Sequence, residues 1–322
     1  MDNFFKNTES IDLYINYVCG LRCTHCFVGE LLNTNSEMPL SLAISIVKES
    51  ATSGVKTITL LGGEPTLYKD IILLIKCIVE NNIEVRIVTN AQKSFYKLVE
   101  KLSPQILSKL HVCFSIDGSC DIVHNNIRGK GTFLNLIHGI TLAQKNNMSI
   151  SAITSISMDN YFDALSIIDF CVKNKMKYLN IHYVTDRGFA EKNKVVSINE
   201  WLKLCKTIEE SSIKMSVRLE KTFVPEIAEV HCDVIKKKNY IIDPSGKVYG
   251  CTMFMNLKHM ESGILTTDRF IINENKYNEN NVCTCTNKGC PVMPLINEGM
   301  VSQAKNKQLK FDCIFNKTKF LD

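Results

Sequence analysis

Residues 11–26 read IDLYINYVCGLRCTHC, and this stretch decides the fold. The first seven form an apolar, strand-like run. The loop that follows directly, Cys19-Gly20-Leu21-Arg22-Cys23-Thr24-His25-Cys26, sets three thiols within eight residues. A four-iron cubane normally takes four thiolates. Three cysteines on one tight loop bind three of its irons and leave the fourth open, and an open position distinguishes a reacting metal site from a structural one. The competing interpretation, a zinc ion with His25 as fourth ligand, is disfavoured. Zinc motifs usually arrive as two Cys-x-x-Cys-like pairs, and no second pair lies nearby.

Outward from this loop the same texture repeats. Strand candidates are 11–17, 56–62, 84–90, 111–117, 150–157 and 177–184, and between them lie segments with apolar residues at helical spacing: 41–54, 69–82, 94–104, 131–147 and 161–175. Six βα-type units in succession predict an α/β fold, a partial (β/α)6 TIM-like barrel over residues 1–189. Reactive groups in such folds gather at the C-terminal ends of the strands. Residues 190–224, which include the single tryptophan Trp201, read as a charged helical bridge. Residues 225–322 change to short strands, turns and cysteines, and predict a small cysteine-rich α+β domain. Within it 239–251 reads as a hairpin turning at Pro244-Ser245-Gly246.

Composition narrows the class. The 322 residues are 45% hydrophobic and 22% charged, with a net charge of only +5 and scattered basic residues, so nucleic-acid binding is not indicated. The opening MDNFFKNTES lacks the apolar core of a secretory signal, and no apolar run is long enough to span a bilayer. The expectation is a cytoplasmic monomer that binds neither membrane nor nucleic acid. Fourteen cysteines are then anomalous as a disulfide framework, because cytosolic thiols stay reduced. Metal or cluster ligation explains them better.

The CxxxCxxC loop after the first strand resembles the radical S-adenosylmethionine superfamily, with His25 at the aromatic position before the last cysteine. Gly62-Gly63-Glu64-Pro65, ending the second strand, resembles that family's GGEP segment. The resemblance implies that its backbone and Glu64 contact the methionine ammonium. It further implies that Thr89 and Asn90, at the end of strand three, and Ser115 and Asp117, at the end of strand four, bond the ribose and methionine. The run Ser115-Ile116-Asp117-Gly118 with His124, Arg128, Gly129 and Phe133 is similar to the SIDG…H…RG…F pattern of peptide- and protein-modifying members. Arg128 could hold the methionine carboxylate; taken alone, His124 and Arg128 would read as a solvated helix start. Ser155 and Tyr183–Arg187 complete the expected site. The implied cofactors are a 4Fe-4S cluster on Cys19, Cys23 and Cys26 and S-adenosylmethionine itself, which is cleaved to a 5′-deoxyadenosyl radical that abstracts a substrate hydrogen. An external reductant such as flavodoxin or ferredoxin supplies the electron.

Cys232, Gly246 and Cys251, then Cys283, Cys285, Cys290 and Cys313, resemble the SPASM/twitch extension, which binds one or two auxiliary 4Fe-4S clusters. The central spacing here is C-x-C-x4-C rather than the full C-x2-C-x5-C-x3-C. Six thiolates cannot fill two cubanes, which need eight. Either Cys283, Cys285, Cys290 and Cys313 hold one cluster, or Cys232 and Cys251 join two of the central cysteines; zinc is the competing ligand. Cys120, Cys232 or Cys251 could instead donate a hydrogen atom in an epimerisation, although Cys120 also reads as an inert loop thiol. Cys77, Cys113, Cys171 and Cys205 read as core residues.

The expected activity is modification of a ribosomally made peptide by epimerisation or by a thioether or carbon–carbon crosslink. Dehydrogenation or epimerisation of an amino-sugar or aminocyclitol is the alternative. The short stretch before strand one argues against a separate leader-binding domain. A non-enzymatic iron–sulfur carrier or sensor would explain the cysteines, but not GGEP, Thr89-Asn90 and SIDG at successive strand ends.

Overall fold

The fold follows from strands that are apolar on one face. The protein was analysed as a computed structural model that describes residues 4–190, 194–211, 215–220, 223–225, 239–255, 260–272, 303–311 and 317–320. Seven strands, β1 (Ser10–Asn16), β2 (Thr57–Gly62), β3 (Glu84–Thr89), β4 (Leu110–Ser115), β5 (Ser149–Ile156), β6 (Tyr178–Tyr183) and β7 (Ser216–Glu220), each pair parallel with the next. Parallel neighbours need crossover connections. These are supplied by α1 (Leu40–Ser53), α2 (Ile71–Glu80), α3 (Lys93–Lys101) with the short α4 (Pro104–Leu107), α5 (Asp121–Arg128) with α6 (Thr132–Lys145), α7 (Ala164–Lys173) and α8 (Ile198–Glu210).

The crossovers cover one face of the sheet. Leu13, Leu60, Ile87, Phe114, Ala152, Ile181 and Leu219, one from each strand, are fully buried. They share a single core with Ile46 of α1, Ile75 of α2, Phe95 of α3, Leu136 of α6, Ile168 of α7 and Ile208 of α8. Burying such side chains contributes about 1.5–3 kcal/mol each. The other face of the sheet is the concave one.

The six strands expected from the sequence are present to within about a residue at each end. Residues 190–224 depart from the helical bridge expected there. Helix α8 begins with a capping box, Ser197 and Glu200 bonding reciprocally, but the chain then forms β7, a seventh parallel strand. The alternation Ser216-Val217-Arg218-Leu219-Glu220 is a strand period inside a charged segment, and counting charge hid it.

The remaining strands are β8 (Phe223–Pro225), β9 (Asn239–Ile242), β10 (Lys247–Tyr249), β11 (Gly263–Leu265), β12 (Phe270–Ile272), β13 (Leu309–Phe311) and β14 (Lys317–Phe320). The expected hairpin is β9–β10, turning through Asp243–Gly246. Its first strand pairs parallel with β1. The sheet therefore continues past β1, in the order β12-β11-β10-β9-β1-β2-β3-β4-β5-β6-β7-β14, and residues on both sides of position 225 share it. Among the described residues, no helix is long and apolar enough to cross a membrane.

Phe114 packs edge-to-face on Phe95 at a centroid distance of 5.6 Å and has no exposed surface. Phe114→Ala is expected to lower unfolding stability by about 3–5 kcal/mol, read as a lower urea midpoint by far-UV circular dichroism.

Candidate active site at the strand ends

The three-cysteine loop leaves β1 and is tied down from several sides. Gly63 and Glu64 donate their backbone N–H groups to the carbonyls of Asn16 and Val18, at 3.0 and 2.8 Å. A Cβ on Gly63 would lie 2.5 Å from the Val18 carbonyl oxygen, so only glycine lets the end of β2 approach the start of the loop this closely. Thr24 N–H donates to Ile127 C=O at the end of α5 (3.0 Å), and Phe189 N–H donates to Cys26 C=O (2.9 Å). Gly188, at φ +63°, touches the same Cys26 carbonyl, and a Cβ there would sit 2.0 Å from it. The sequence reading missed Gly188 and Phe189, whose role depends on a contact across some 160 residues of chain.

Cys19, Cys23 and Cys26 are free thiols. N–H donors point at two of them. Leu21 N–H and Asn90 Nδ2 lie 3.4 and 3.8 Å from Cys19 Sγ, and Arg128 Nη1 lies 3.9 Å from Cys23 Sγ. Burial pushes the Cys19 thiol up to about 12, the neighbouring charges of Glu64, Cys23 and Cys26 add to this, and the Leu21 N–H opposes it. A thiol buried in this way is costly to ionise unless a cation replaces its proton, as a metal centre does. Among the described residues, no three His, Cys, Asp or Glu side chains converge on a position for one metal ion. A cubane instead spreads its thiolates over different irons, so free thiols on one loop with N–H donors at their sulfurs fit that group. His25 Nε2 lies 3.2 Å from Asp117 Oδ2, and its Nδ1 is buried without a hydrogen bond.

Glu64 is a tie between strand ends. Its Oε1 accepts from Thr66 N–H (3.1 Å), Thr66 Oγ1 (2.6 Å) and Thr89 Oγ1 (2.8 Å), and its Oε2 accepts from Asn90 N–H (2.8 Å). The Thr66 contact caps the turn Pro65–Leu67. With 2% of its surface exposed and four donors already placed, Glu64 positions the GGEP turn against Thr89 and Asn90. Burial raises its carboxyl, and the four hydrogen bonds oppose that rise.

Asp117 is fully buried just beyond β4. Its Oδ2 accepts from Arg128 Nε at 2.5 Å and lies 3.2 Å from His25 Nε2; its Oδ1 accepts from Ser155 N–H at 3.0 Å. Burial alone would raise this carboxyl, but the Arg128 guanidinium and His25 outweigh it and hold the group far below the usual carboxylate range. Asp117 N–H donates to His124 Nδ1 (3.3 Å), and the His124 ring packs on Phe133. His124 is lowered to about 4 by burial and by Arg128, so it is neutral near pH 7. The spaced residues of the SIDG…H…RG…F run thus converge on one carboxylate. The solvated helix start is corrected: His124 is 1% exposed and the Arg128 side chain 12%. Arg128 is committed to Asp117 and Cys23.

The loop overlooks the concave face of the sheet, where a cavity of about 750 Å³ is lined by His25, Tyr14, Ser155, Tyr183 and the inward positions of the strands. Bulky branched residues fill the interior of a closed barrel. Here the inward positions mix Tyr14, Leu61, Val88 and Ile153 with Asp12 on β1, Arg86 on β3, Cys113 on β4, Asn180 and His182 on β6, and Arg218 and Glu220 on β7. The polar ones were not singled out from the sequence. The available signal was the two-residue period of the strands, which places Asp12, Arg86, Asn180 and Arg218 on the face opposite the buried residues. Cys113 is buried as expected and also borders the cavity, and Cys171 on α7 and Cys205 on α8 are buried. The Tyr183 hydroxyl donates to Val196 C=O (2.6 Å) and its ring packs on Trp201.

Cys120 precedes α5 and is not among the residues lining the cavity. Cys251 is 4% exposed, lies between cavity-lining Gly250 and Thr252, and is near enough to Tyr14 to raise that phenol together with burial, Asp12 and Cys26. Cys232, Cys283, Cys285, Cys290 and Cys313 lie outside the described residues.

Residues 13–171 match the model of the Radical SAM superfamily. Fe-coproporphyrin III synthase of Methanosarcina barkeri is 26% identical over 221 residues, covering 67% of this chain and 54% of that protein. GTP 3′,8-cyclase of Clostridium perfringens is 27% identical over 213 residues, 64% of each. The chain thus spans little more than half to two thirds of the length of these relatives. Streptococcus suis SuiB bound to S-adenosylmethionine superposes with a TM-score of 0.66 at 18% identity, over 84% of this chain and 66% of SuiB. SuiB bound to its precursor peptide SuiA superposes with a TM-score of 0.64, over 79% and 62%. At this identity the likeness is one of fold.

Removing the Asp117 charge leaves Arg128 buried and unpaired. Asp117→Asn is expected to cost about 3–5 kcal/mol at pH 7. Because the native carboxyl is depressed, its stabilising contribution is complete above the ordinary carboxylate range and fades as pH falls below about 4. The gap between variant and parent urea midpoints should therefore be largest at pH 7 and only modestly smaller at pH 3.5, because the native carboxyl stays ionised well below that pH.

Proposed function

We propose that this chain, whose residues 13–171 match the Radical SAM superfamily model, is a radical S-adenosylmethionine enzyme that cleaves its cofactor reductively and uses the resulting radical to modify a ribosomally made peptide. The observation that carries the reading is the meeting of three free thiols, the GGEP turn and the Asp117 constellation at the mouth of a cavity with a mixed polar and apolar lining. The cluster and S-adenosylmethionine together supply one-electron cleavage of a sulfonium and, from it, hydrogen-atom abstraction.

The chain's own residues have distinct tasks in this reading. Cys19, Cys23 and Cys26 hold the cluster. Leu21 N–H, Asn90 and Arg128 donate toward thiolate charge, as N–H groups do around iron–sulfur centres. Glu64 and Asp117 fix the strand ends on which the cofactor rests. Ser155, His25 and the start of the cavity bound the space where its methionine end and ribose fit, and the backbone contacts of the loop at Gly63 and Gly188 keep that geometry from shifting. Preorganisation of this kind matters because a misplacement of about 1 Å can cost on the order of 100-fold in rate.

Peptide modification is supported by the SIDG…H…RG…F run and by the shared fold of SuiB, whose structure with a precursor peptide is among those that superpose. A cavity walled by Asp12, Arg86, Asn180, His182 and Arg218 also suits an amino-sugar or aminocyclitol better than an apolar macrocycle. Cys251, beside the cavity wall, serves either as an auxiliary-cluster ligand with the remaining C-terminal cysteines or as a hydrogen donor.

Anaerobically reconstituted, reduced protein incubated with S-adenosylmethionine should release 5′-deoxyadenosine, and the Cys19→Ala/Cys23→Ala/Cys26→Ala variant should release none. An electron carrier would yield only background from both. Iron and sulfide retained by the triple variant would count the auxiliary clusters: about four irons support one, and none removes the auxiliary-cluster assignment.

A further inference from the structure

The cavity contains a charge that the mechanism above does not use. Arg218 projects from β7 into the concave space, and its guanidinium lies 4.0 Å over the centre of the Tyr178 ring. Tyr178 in turn stacks on His111 at 5.4 Å, and its hydroxyl lies 3.0 Å from His111 Nε2. His111 is fixed by Ser149 Oγ and Ser151 Oγ, each 2.7 Å from a ring nitrogen. A guanidinium laid flat on an aromatic face keeps its edge free and pre-oriented.

That edge has no partner. Arg218 Nε is buried without a hydrogen bond, and Arg218 makes no ion pair among the described residues. The surrounding carboxylates are engaged elsewhere. Glu220 accepts from Tyr183 N–H at 3.1 Å and lies 3.3 Å from His182 Nδ1. Glu84 is paired with Arg86, and Asp12 accepts from Asn239 Nδ2 at 3.1 Å. Directly across the ladder, Asn180 is the register partner of Arg218, and its Oδ1 is likewise buried without a donor. An unused cationic donor therefore sits beside an unused acceptor, and both line the cavity. Buried polar groups left unmatched are costly, and a ligand supplying both partners would recover that cost.

Depth separates this pair from the cofactor region. Asn180 and Arg218 each lie two residues before His182 and Glu220, which is about 7 Å toward the strand N-termini and away from the cysteine loop. Arginine presents a planar fork that matches the two oxygens of a carboxylate.

We propose that Arg218 and Asn180 form a substrate subsite that takes a carboxylate together with an adjacent N–H, the pattern offered by a peptide residue that ends in, or bears, a carboxylate. The carboxylate accepts from the Arg218 edge, and the N–H donates to Asn180 Oδ1. This rests on the reading of the cavity as the substrate site of a radical enzyme.

The test uses the reconstituted full-length protein and calorimetric titration of four probes. They are acetyl-Gly-Gly with a free terminal carboxylate, acetyl-Gly-Gly amide, acetyl-Asp N-methylamide, and inorganic phosphate. The expected result is saturable binding of a carboxylate probe at least tenfold tighter than of the neutral amide, with the two carboxylate probes reporting whether a terminal or a side-chain acid is preferred. Arg218→Gln should abolish that preference. Arg218→Lys, which keeps the charge but not the fork, should retain attraction yet lose discrimination between carboxylate and phosphate. Iron content and thermal midpoint identify a misfolded glutamine variant, in which case the lysine variant decides. Equal binding of carboxylate and amide, or a carboxylate preference unchanged in the variants, overturns the subsite. Its failure alongside normal 5′-deoxyadenosine release by the parent protein leaves the radical-enzyme reading standing. Absence of that release removes the reading itself, whatever the probes do.

Discussion

The arrangement at the strand ends depends on one buried carboxylate. Asp117 has no solvent to stabilise its charge, so the protein must supply donors, and those donors come from segments far apart in the chain. His25 comes from the cysteine loop, Arg128 from the end of α5 and Ser155 from β5. Satisfying the charge therefore brings the loop, a crossover helix and two neighbouring strands to one point. Arg128 extends the link by reaching Cys23 Sγ. Asp117 is thereby the joint between the cysteine loop, α5 and the ends of β4 and β5.

Glu64 performs the same task on the other side of the loop. It is as buried as Asp117 but is satisfied by neutral donors, two threonine hydroxyls and two backbone N–H groups, and so its carboxyl is raised where that of Asp117 is depressed. The contrast follows from the partners: a guanidinium stabilises the ionised form by charge, and neutral donors only partly replace water. Together the two carboxylates bracket Cys19 and Cys23, one through Asn90 and the other through Arg128.

The strands carry a second constraint. Each is apolar toward the helices, and several place polar residues toward the cavity in alternation: Leu13 against Asp12, Ile87 against Arg86, Ile181 against Asn180 and His182, Leu219 against Arg218 and Glu220. The apolar face supplies the stability. The opposite face leaves a hollow at whose wall polar side chains pair with one another, as Glu220 does with His182 at 3.3 Å. A space of about 750 Å³ is within the range of small-molecule and short-segment sites.

By itself the sequence determined the local elements and the chemistry of the loop. The six strands from IDLYINY to KYLNIHYV, their intervening helices and the three-cysteine spacing were all legible, because periodicity and ligand spacing are properties of neighbouring residues. That Glu64 bonds Thr89 and Asn90, His124 bonds Asp117, and Arg128 bonds Asp117 and Cys23 was not, since these partners lie 7 to 105 positions away and only folding brings them near. The strand β7 was masked by its charges, which make sense only once the concave face exists to receive Arg218 and Glu220. Nor could the spacing of Gly188 reveal that its missing side chain makes room for the Cys26 carbonyl. Local order is written in short-range pattern, whereas the pairing of buried charges and the close approach of backbones are decided by where the tertiary structure puts them.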